Sequence, residues 1–139
     1  MQMAKPLTHD EVKGVFRRIF NGGEMRRLPK SRKDTEAVLA LAVASLDPRA
    51  TYSVAEVNEG LSEWMAGFVD PATMDHVTLR RCMVDIFMLL RDPHGRSYRT
   101  NQTVINQVIE PEARAVQPLL VMNEVAAERT KRKAQTVND

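Results

Sequence analysis

The stretch "HVTLRRCMVDIFMLLRDPHGRSYR", residues 76–99, limits the fold more than any other part of the chain. Asp75 is a good N-cap in front of it. Leu79, Met83, Ile86, Phe87 and Leu90 recur at helical spacing and predict an inward stripe, with Val77, Thr78, Arg81 and Asp85 towards the other side. "DPHG" at 92–95 then has Asp first, Pro second and Gly last, the chemistry of a tight turn. "LLR" before the turn and "RSYRT" after it can pair as a hairpin. An apolar helix with basic residues near its start therefore runs straight into a short β-hairpin.

The preceding residues supply three more helices. "THDE" at 8–11 is a capping box, followed by Val12, Val15, Phe16, Ile19 and Phe20 at helical spacing, and "NGG" at 21–23 stops the run. This predicts a helix over 8–20. Pro29 keeps Leu28 out of helical geometry, and Ser31 can cap a second helix whose buried side carries Val38, Leu41, Ala42 and Leu46 before "DP" at 47–48. "ATYS" reads as extended. "SVAE" at 53–56 is another capping box, with Val57, Leu61, Trp64 and Met65 as one apolar stripe and Gly67 as its stop. A loop over 66–74 with Pro71 leads to Asp75.

After Gln102 the pattern changes. Val104, Ile105, Val108 and Ile109 predict a short helix ended by Pro111, and Leu119, Leu120, Met122 and Val125 predict another. It fades into "ERTKRKAQTVND", which lacks apolar anchors and is expected to fray. These apolar residues must cover something, either the first helix of the same chain or a second copy.

Helix, helix, extended segment, helix, helix, hairpin is the layout of a winged helix, in which the helix before the hairpin enters the major groove. The expected fold is mainly α (α+β): a winged-helix-like helix-turn-helix over residues 1–101 with a hairpin wing, and a helical extension over 102–139 with a frayed end. A chain of 139 residues suits one domain, and 43% hydrophobic residues suffice for its core. No apolar run approaches the roughly 20 residues of a membrane span, and the opening "MQMAKPLTHDEVK" lacks a signal-peptide core, so no membrane role and a cytoplasmic location are expected.

Net charge is only +2, but its distribution is uneven. "MRRLPKSRK" at 25–33 carries Arg26, Arg27, Lys30, Arg32 and Lys33. Residues 50–79 hold no Lys or Arg, yet include Glu56, Glu59, Glu63, Asp70 and Asp75. Positive charge returns at Arg80, Arg81, Arg91, Arg96 and Arg99. The candidate DNA contacts are therefore Arg26, Arg27, Lys30, Arg32, Lys33, Thr78, Arg80, Arg81, Arg96 and Arg99. Arginine can bind guanine in a bidentate manner, and Thr can meet a phosphate or a thymine methyl. Each group also has an ordinary reading. Arg80 and Arg81 could pair with Asp75, Asp85 or carboxylates of the third helix, Arg96 and Arg99 could be a solvated strand face with Tyr98 on the core, and the loop could be an exposed linker.

Catalysis finds little footing. His9, His76 and His94 lie far apart, each at a helix start or in a turn. Cys82, the single cysteine, sits mid-helix on an apolar stretch and cannot form an internal disulfide. No histidine spacing suits zinc and no glycine-rich phosphate loop occurs, so neither metal nor cofactor is expected.

"RRLPKSRKDTEAVLALAV", "TYSVAEVNEGL", "TLRRCMVDIFMLLRD" and "GRSYR" together resemble a bacterial domain family of unknown function. The matching residues are Leu28, Pro29, Arg32 and Lys33, then Tyr52, Glu56, Val57 and Asn58, then Leu79, Arg80, Arg81, Val84 and Asp85, and finally Tyr98 and Arg99, covering about residues 26–100. The family occurs as a small stand-alone protein and at the C-terminus of ArsR-type transcriptional regulators. The resemblance implies a winged-helix-like fold in a regulatory, nucleic-acid-related setting, and no established activity. The 66–74 loop is longer than the family's usual link, and residues 102–139 fall outside the match.

The expected function is thus a DNA-binding or transcription-associated regulatory module, not an enzyme. The alternative is a protein-interaction or dimerisation module without sequence-specific DNA contact. The expected partners are duplex DNA and a second copy held through the C-terminal helices, with RNA as a further candidate for the basic loop.

Overall fold

The structure, a computed structural model, describes residues 5–137. The first residues of the opening stretch and the last two of the tail lie outside the described residues. Helix α1 spans His9–Ile19, α2 Arg32–Ala44, α3 Val54–Met65 and α4 His76–Asp85; strands β1 (Leu89–Arg91) and β2 (Tyr98–Thr100) follow, then α5 (Gln102–Val108) and α6 (Pro118–Val137). The protein is mainly helical with one small antiparallel hairpin, in which Leu89 faces Thr100, Leu90 faces Arg99 and Arg91 faces Tyr98.

The helix starts follow from local side-chain chemistry. At α1 the Glu11 amide donates to Thr8 Oγ1 (3.2 Å) and the Thr8 amide to Glu11 Oε1 (3.1 Å). Ser53 and Glu56 make the same reciprocal box at α3, and the Thr78 amide donates to Asp75 Oδ1 (3.0 Å) at α4. Each bond satisfies an amide that the helix itself leaves unpaired. Hydrogen bonds from Ser53 hold the Glu56 carboxyl below its usual range, and those from Thr78 do the same for Asp75.

The "ATYS" segment is extended, as its sequence predicts, and joins the hairpin. Tyr52 bridges Tyr98 antiparallel, each amide donating to the other's carbonyl at 2.8 Å. Strand β2 therefore lies between the Tyr52 segment and β1.

Helix α2 is the centre of the core. Its sequence predicts one buried side, but seven consecutive residues, Ala37 to Val43, are buried. A helix covered all round must have neighbours all round, and α2 packs on α1, α3, α4 and α5. Within the same core an aromatic group joins α1 to the end of α3: Trp64 meets Phe68 edge-on at 4.9 Å, and Phe68 meets Phe16 edge-on at 6.5 Å.

Helix α4 is shorter than its apolar pattern predicts. Leu79 and Met83 are buried as expected, but the helix ends at Asp85, and Phe87 is 67% exposed rather than inward. Leu90 is half-buried in β1, while Met88 and Leu89 enter the core. The cause is a chain reversal. The Met88 amide donates to the Met83 carbonyl (2.9 Å) and the Phe87 amide to the Val84 carbonyl (3.1 Å), with Phe87 at φ +64°. That is the Schellman closure, usually made by glycine. In a bulky residue the left-handed conformation costs roughly 1–2 kcal/mol.

Residues after 101 build into the same core. One apolar cluster runs from Leu7 to Val125 and includes Ile105, Ile109, Ala113, Val116 and Val121. The Leu7 amide donates to the Val108 carbonyl (2.9 Å), and the Glu110 amide to the Leu7 carbonyl (2.8 Å). Helix α6 packs on α1 with Val121 and Val125 inward. Of the residues predicted to be its apolar face, Leu119 and Leu120 stay exposed, at 41% and 54%. The helix also continues through the stretch expected to fray, to Val137.

Candidate functional site

The outer face of α4 and the hairpin form the two sides of a cleft of about 740 Å3. Arg80, Arg81, Asp85 and Phe87 line it from α4 and its end, and Arg91 and Tyr98 from the hairpin. Helix phase puts Arg81 and Asp85 one turn apart on the exposed face. Strand pairing sets Arg91 opposite Tyr98.

The charges differ in how they are used. Arg80 is half-buried and donates through its guanidinium to Asn58 Oδ1 on α3. Its partner is a neutral amide, so its charge is not cancelled. Arg81 and Arg91 are exposed, and among the described residues neither has a carboxylate within ion-pair distance. Arg91 lies along Gly95, where an added Cβ would stand 3.6 Å from its Nε. Gly95 itself has φ +68°, which the turn requires.

Two carboxylates share this side. Asp92 makes the turn, accepting from the Arg96 amide (2.6 Å) and the Ser97 amide (3.2 Å). That leaves the Arg96 side chain exposed at the tip. Asp85 is exposed and forms no ion pair with Arg81. Arg99 is exposed between buried Tyr98 and Thr100 and stands beside Leu90 on the hairpin's outward face. Thr78 is exposed, but its hydroxyl donates to Asp75 Oδ1 (3.0 Å), so it is partly committed to the helix cap.

Carboxylate-paired cations lie elsewhere. Lys13 and Arg17 on α1 meet Glu124 and Glu128 on α6; Arg18 meets Asp34; Arg32 meets Glu36. The ion pairs thus lie on α1, α2 and α6, whereas Arg81 and Arg91, like Arg26 and Arg27 in the basic loop, have no carboxylate partner among the described residues.

The basic loop does not line the cleft. It is tied to the segment after α3, the Met25 amide donating to the Phe68 carbonyl (2.8 Å) and the Asp70 amide to the Met25 carbonyl (2.9 Å). Arg26, Arg27 and Lys30 border a separate depression of about 350 Å3 against α1, shared with Glu24 and Asp34. Lys33 is exposed, and Arg32 is engaged with Glu36. Helix α2 begins where this loop ends, with its positive end there. Asp34 already occupies that first turn and pairs with Arg18 at 3.0 Å, which weakens its pull on another anion.

Other candidates for chemistry are dispersed. His76 Nδ1 lies 3.2 Å from Ser62 Oγ, and His94 is exposed in the hairpin turn. Among the described residues no cluster of three or more His, Cys, Asp or Glu could hold a metal ion. Burial, and secondarily the Asp85 charge, push the Cys82 thiol up, away from a reactive thiolate. No helix among the described residues is long and apolar enough to cross a membrane.

Sequence reasoning missed Asp85, Phe87 and Arg91 as members of the site. Arg91 closes "LLR" directly before the turn, where strand alternation sends it to the face opposite Leu90. Phe87 stands in the unbroken run "IFMLL" with no glycine to signal the reversal.

A family model described as an uncharacterized protein conserved in bacteria (DUF2087) matches residues 24–100. No curated protein and no solved structure matches the chain. The matched region begins in the basic loop and ends with β2, so it takes in α2 to the hairpin and the whole lining of the cleft.

Proposed function

The chain belongs to the DUF2087 family of uncharacterized proteins conserved in bacteria, and from that premise we propose that it is a DNA-binding regulatory module of the winged-helix kind. Within the matched region, α2, the Tyr52 segment, α3, α4, β1 and β2 follow one another in the winged-helix order, with β2 between the other two extended segments. In that fold the helix before the hairpin lies in the major groove and the hairpin reaches the backbone beside it. Helix α4 is then the reading helix, with Arg81 towards bases or phosphates, and Arg91, Arg96 and Arg99 the wing cations. A cytoplasmic, transcription-associated setting goes with this reading.

One observation carries it: Arg80, Arg81 and Arg91 line one cleft between α4 and the hairpin, and none of them is paired with a carboxylate among the described residues, while Arg96 and Arg99 stand exposed at the hairpin's tip and on its outward face. Unpaired exposed cations keep their full charge for a polyanion. The basic loop is a secondary contact in this reading, because it borders a different depression.

Titrating labelled duplex DNA by fluorescence anisotropy at two salt concentrations tests the proposal. Each phosphate contact contributes roughly −0.9 to the log–log salt slope, so four or so contacts give a slope near about −3.6. No binding at low salt with micromolar protein sinks it.

A protein-interaction or dimerisation role is the second reading, and it rests on Leu119 and Leu120, exposed on α6. The opposite face of α6 already covers α1, so a partner would have to use these leucines. Sedimentation of the full chain at high micromolar concentration decides it: a dimer that Leu120→Glu dissociates supports the reading, and a monomer refutes it.

A further inference from the structure

We propose that the cleft between α4 and the hairpin takes an unpaired DNA base, stacked on Phe87 with its amino edge towards Asp85, while the arginines hold the adjoining phosphates. This rests on the DNA-binding reading and goes beyond it, since a base inside a regular duplex has neighbours on both faces and none free for a side chain.

Phe87 is the starting point. It is 67% exposed, the most exposed large apolar residue among those described, and it lies on the cleft. It also holds a left-handed conformation, φ +64°, at a helix end where glycine would carry no strain. The surroundings enforce this: Asn101 Nδ2 donates to the Phe87 carbonyl (2.9 Å), and the next amide closes the helix onto Met83. A strained, solvent-facing aromatic contributes nothing to the core it leaves, and strain of this kind collects at sites that act on a partner.

Asp85 supplies the second observation. A carboxylate in a cleft of arginines opposes a surface made only for phosphates. It does match the amino hydrogens of cytosine or adenine, which it can accept. The cleft thus combines an aromatic face, an acceptor and cations, the three elements that bind a single nucleotide unit. Its volume of about 740 Å3 has room for one. An apolar side chain of a protein partner would use Phe87 but would leave Arg81, Asp85 and Arg91 without counterparts.

The test compares a blunt 20-base-pair duplex with the same duplex carrying a five-nucleotide single-stranded overhang, by anisotropy, using the full chain. Phe87→Gly relieves the backbone strain and so keeps the fold; Phe87→Ala is its companion, and a thermal melt accompanies each. The overhang substrate is expected to bind roughly five- to a hundredfold more tightly than the blunt one, and cytosine or adenine overhangs more tightly than thymine. Phe87→Gly and Phe87→Ala are each expected to remove that preference, read as the ratio of the overhang and blunt-duplex affinities. Equal binding of both substrates by the unmodified protein overturns this proposal and leaves the DNA-binding reading standing. Equal loss on both substrates in a stably folded Phe87→Gly protein also overturns it. Absence of binding to either DNA overturns both.

Discussion

Truncation after Asn101 is expected to abolish cooperative folding. The cut falls one residue beyond the family match, where a boundary looks natural from the sequence. It would nevertheless strip Ile105, Ile109, Ala113, Val116, Val121 and Val125 from the apolar cluster, with Ile105 and Ile109 wholly buried. Losing a buried Ile side chain to Ala alone costs about 2–5 kcal/mol, and a small domain holds only about 5–15 kcal/mol in all. Helix α2 would lose its α5 neighbour, and Leu7 both of its backbone partners at Val108 and Glu110. A thermal melt followed by circular dichroism checks this. The full chain should unfold in one sharp transition and the truncated chain in none; a truncated chain melting within a few degrees of the full one would show that residues 102–137 are a detachable extension.

The double substitution Arg81→Glu/Arg91→Glu is expected to eliminate duplex binding and leave stability nearly unchanged. Both side chains are exposed and lack a carboxylate partner among the described residues, and surface changes of this sort usually stay within about 0.5 kcal/mol. Each arginine that touches DNA contributes about 1–3 kcal/mol, and reversal adds repulsion. The combined loss should be roughly a hundredfold or more. Arg80 is the contrast: Arg80→Ala leaves Asn58 without its donor, so it should lower the melting temperature as well. Melts and anisotropy curves on the same preparations separate the two. A destabilised double variant that still binds would assign Arg81 and Arg91 a structural role.

Which parts of the fold could be read from the sequence follows from distance along the chain. The caps at Thr8, Ser53 and Asp75 involve partners three residues away, so residue types in sequence suffice. The hairpin was equally legible, because Asp92 and Gly95 meet across one turn. Burial of α2 on all sides was not, since the cover on its far side comes from α5, some sixty residues later. Likewise Tyr52 looked extended, but nothing local names Tyr98 as its partner. The phase of α6 slipped by one residue's choice of face: Pro118 starts the helix so that Val121 and Val125, not Leu119 and Leu120, meet α1.

The candidate site divides in the same manner. Arginine type and clustering point to α4 and the hairpin; of the residues they single out there, Arg80 and Arg81 line the shared cleft, and Thr78, Arg96 and Arg99 do not. The loop cations looked equivalent in sequence, yet they border another depression. Whether Arg80 or Arg81 is engaged depended on Asn58, twenty-two residues upstream, and on helix phase at the far side of α3. Phe87 was invisible because only a glycine or asparagine would have marked the reversal that exposes it.

The most direct measurement is the salt slope of duplex binding in the unmodified chain beside that of Arg81→Ala/Arg91→Ala. If these two arginines neutralise phosphates, the slope should become shallower by roughly 1.8, about 0.9 for each contact removed. Two parallel lines of equal slope would mean that the cleft between α4 and the hairpin is not where this protein meets DNA.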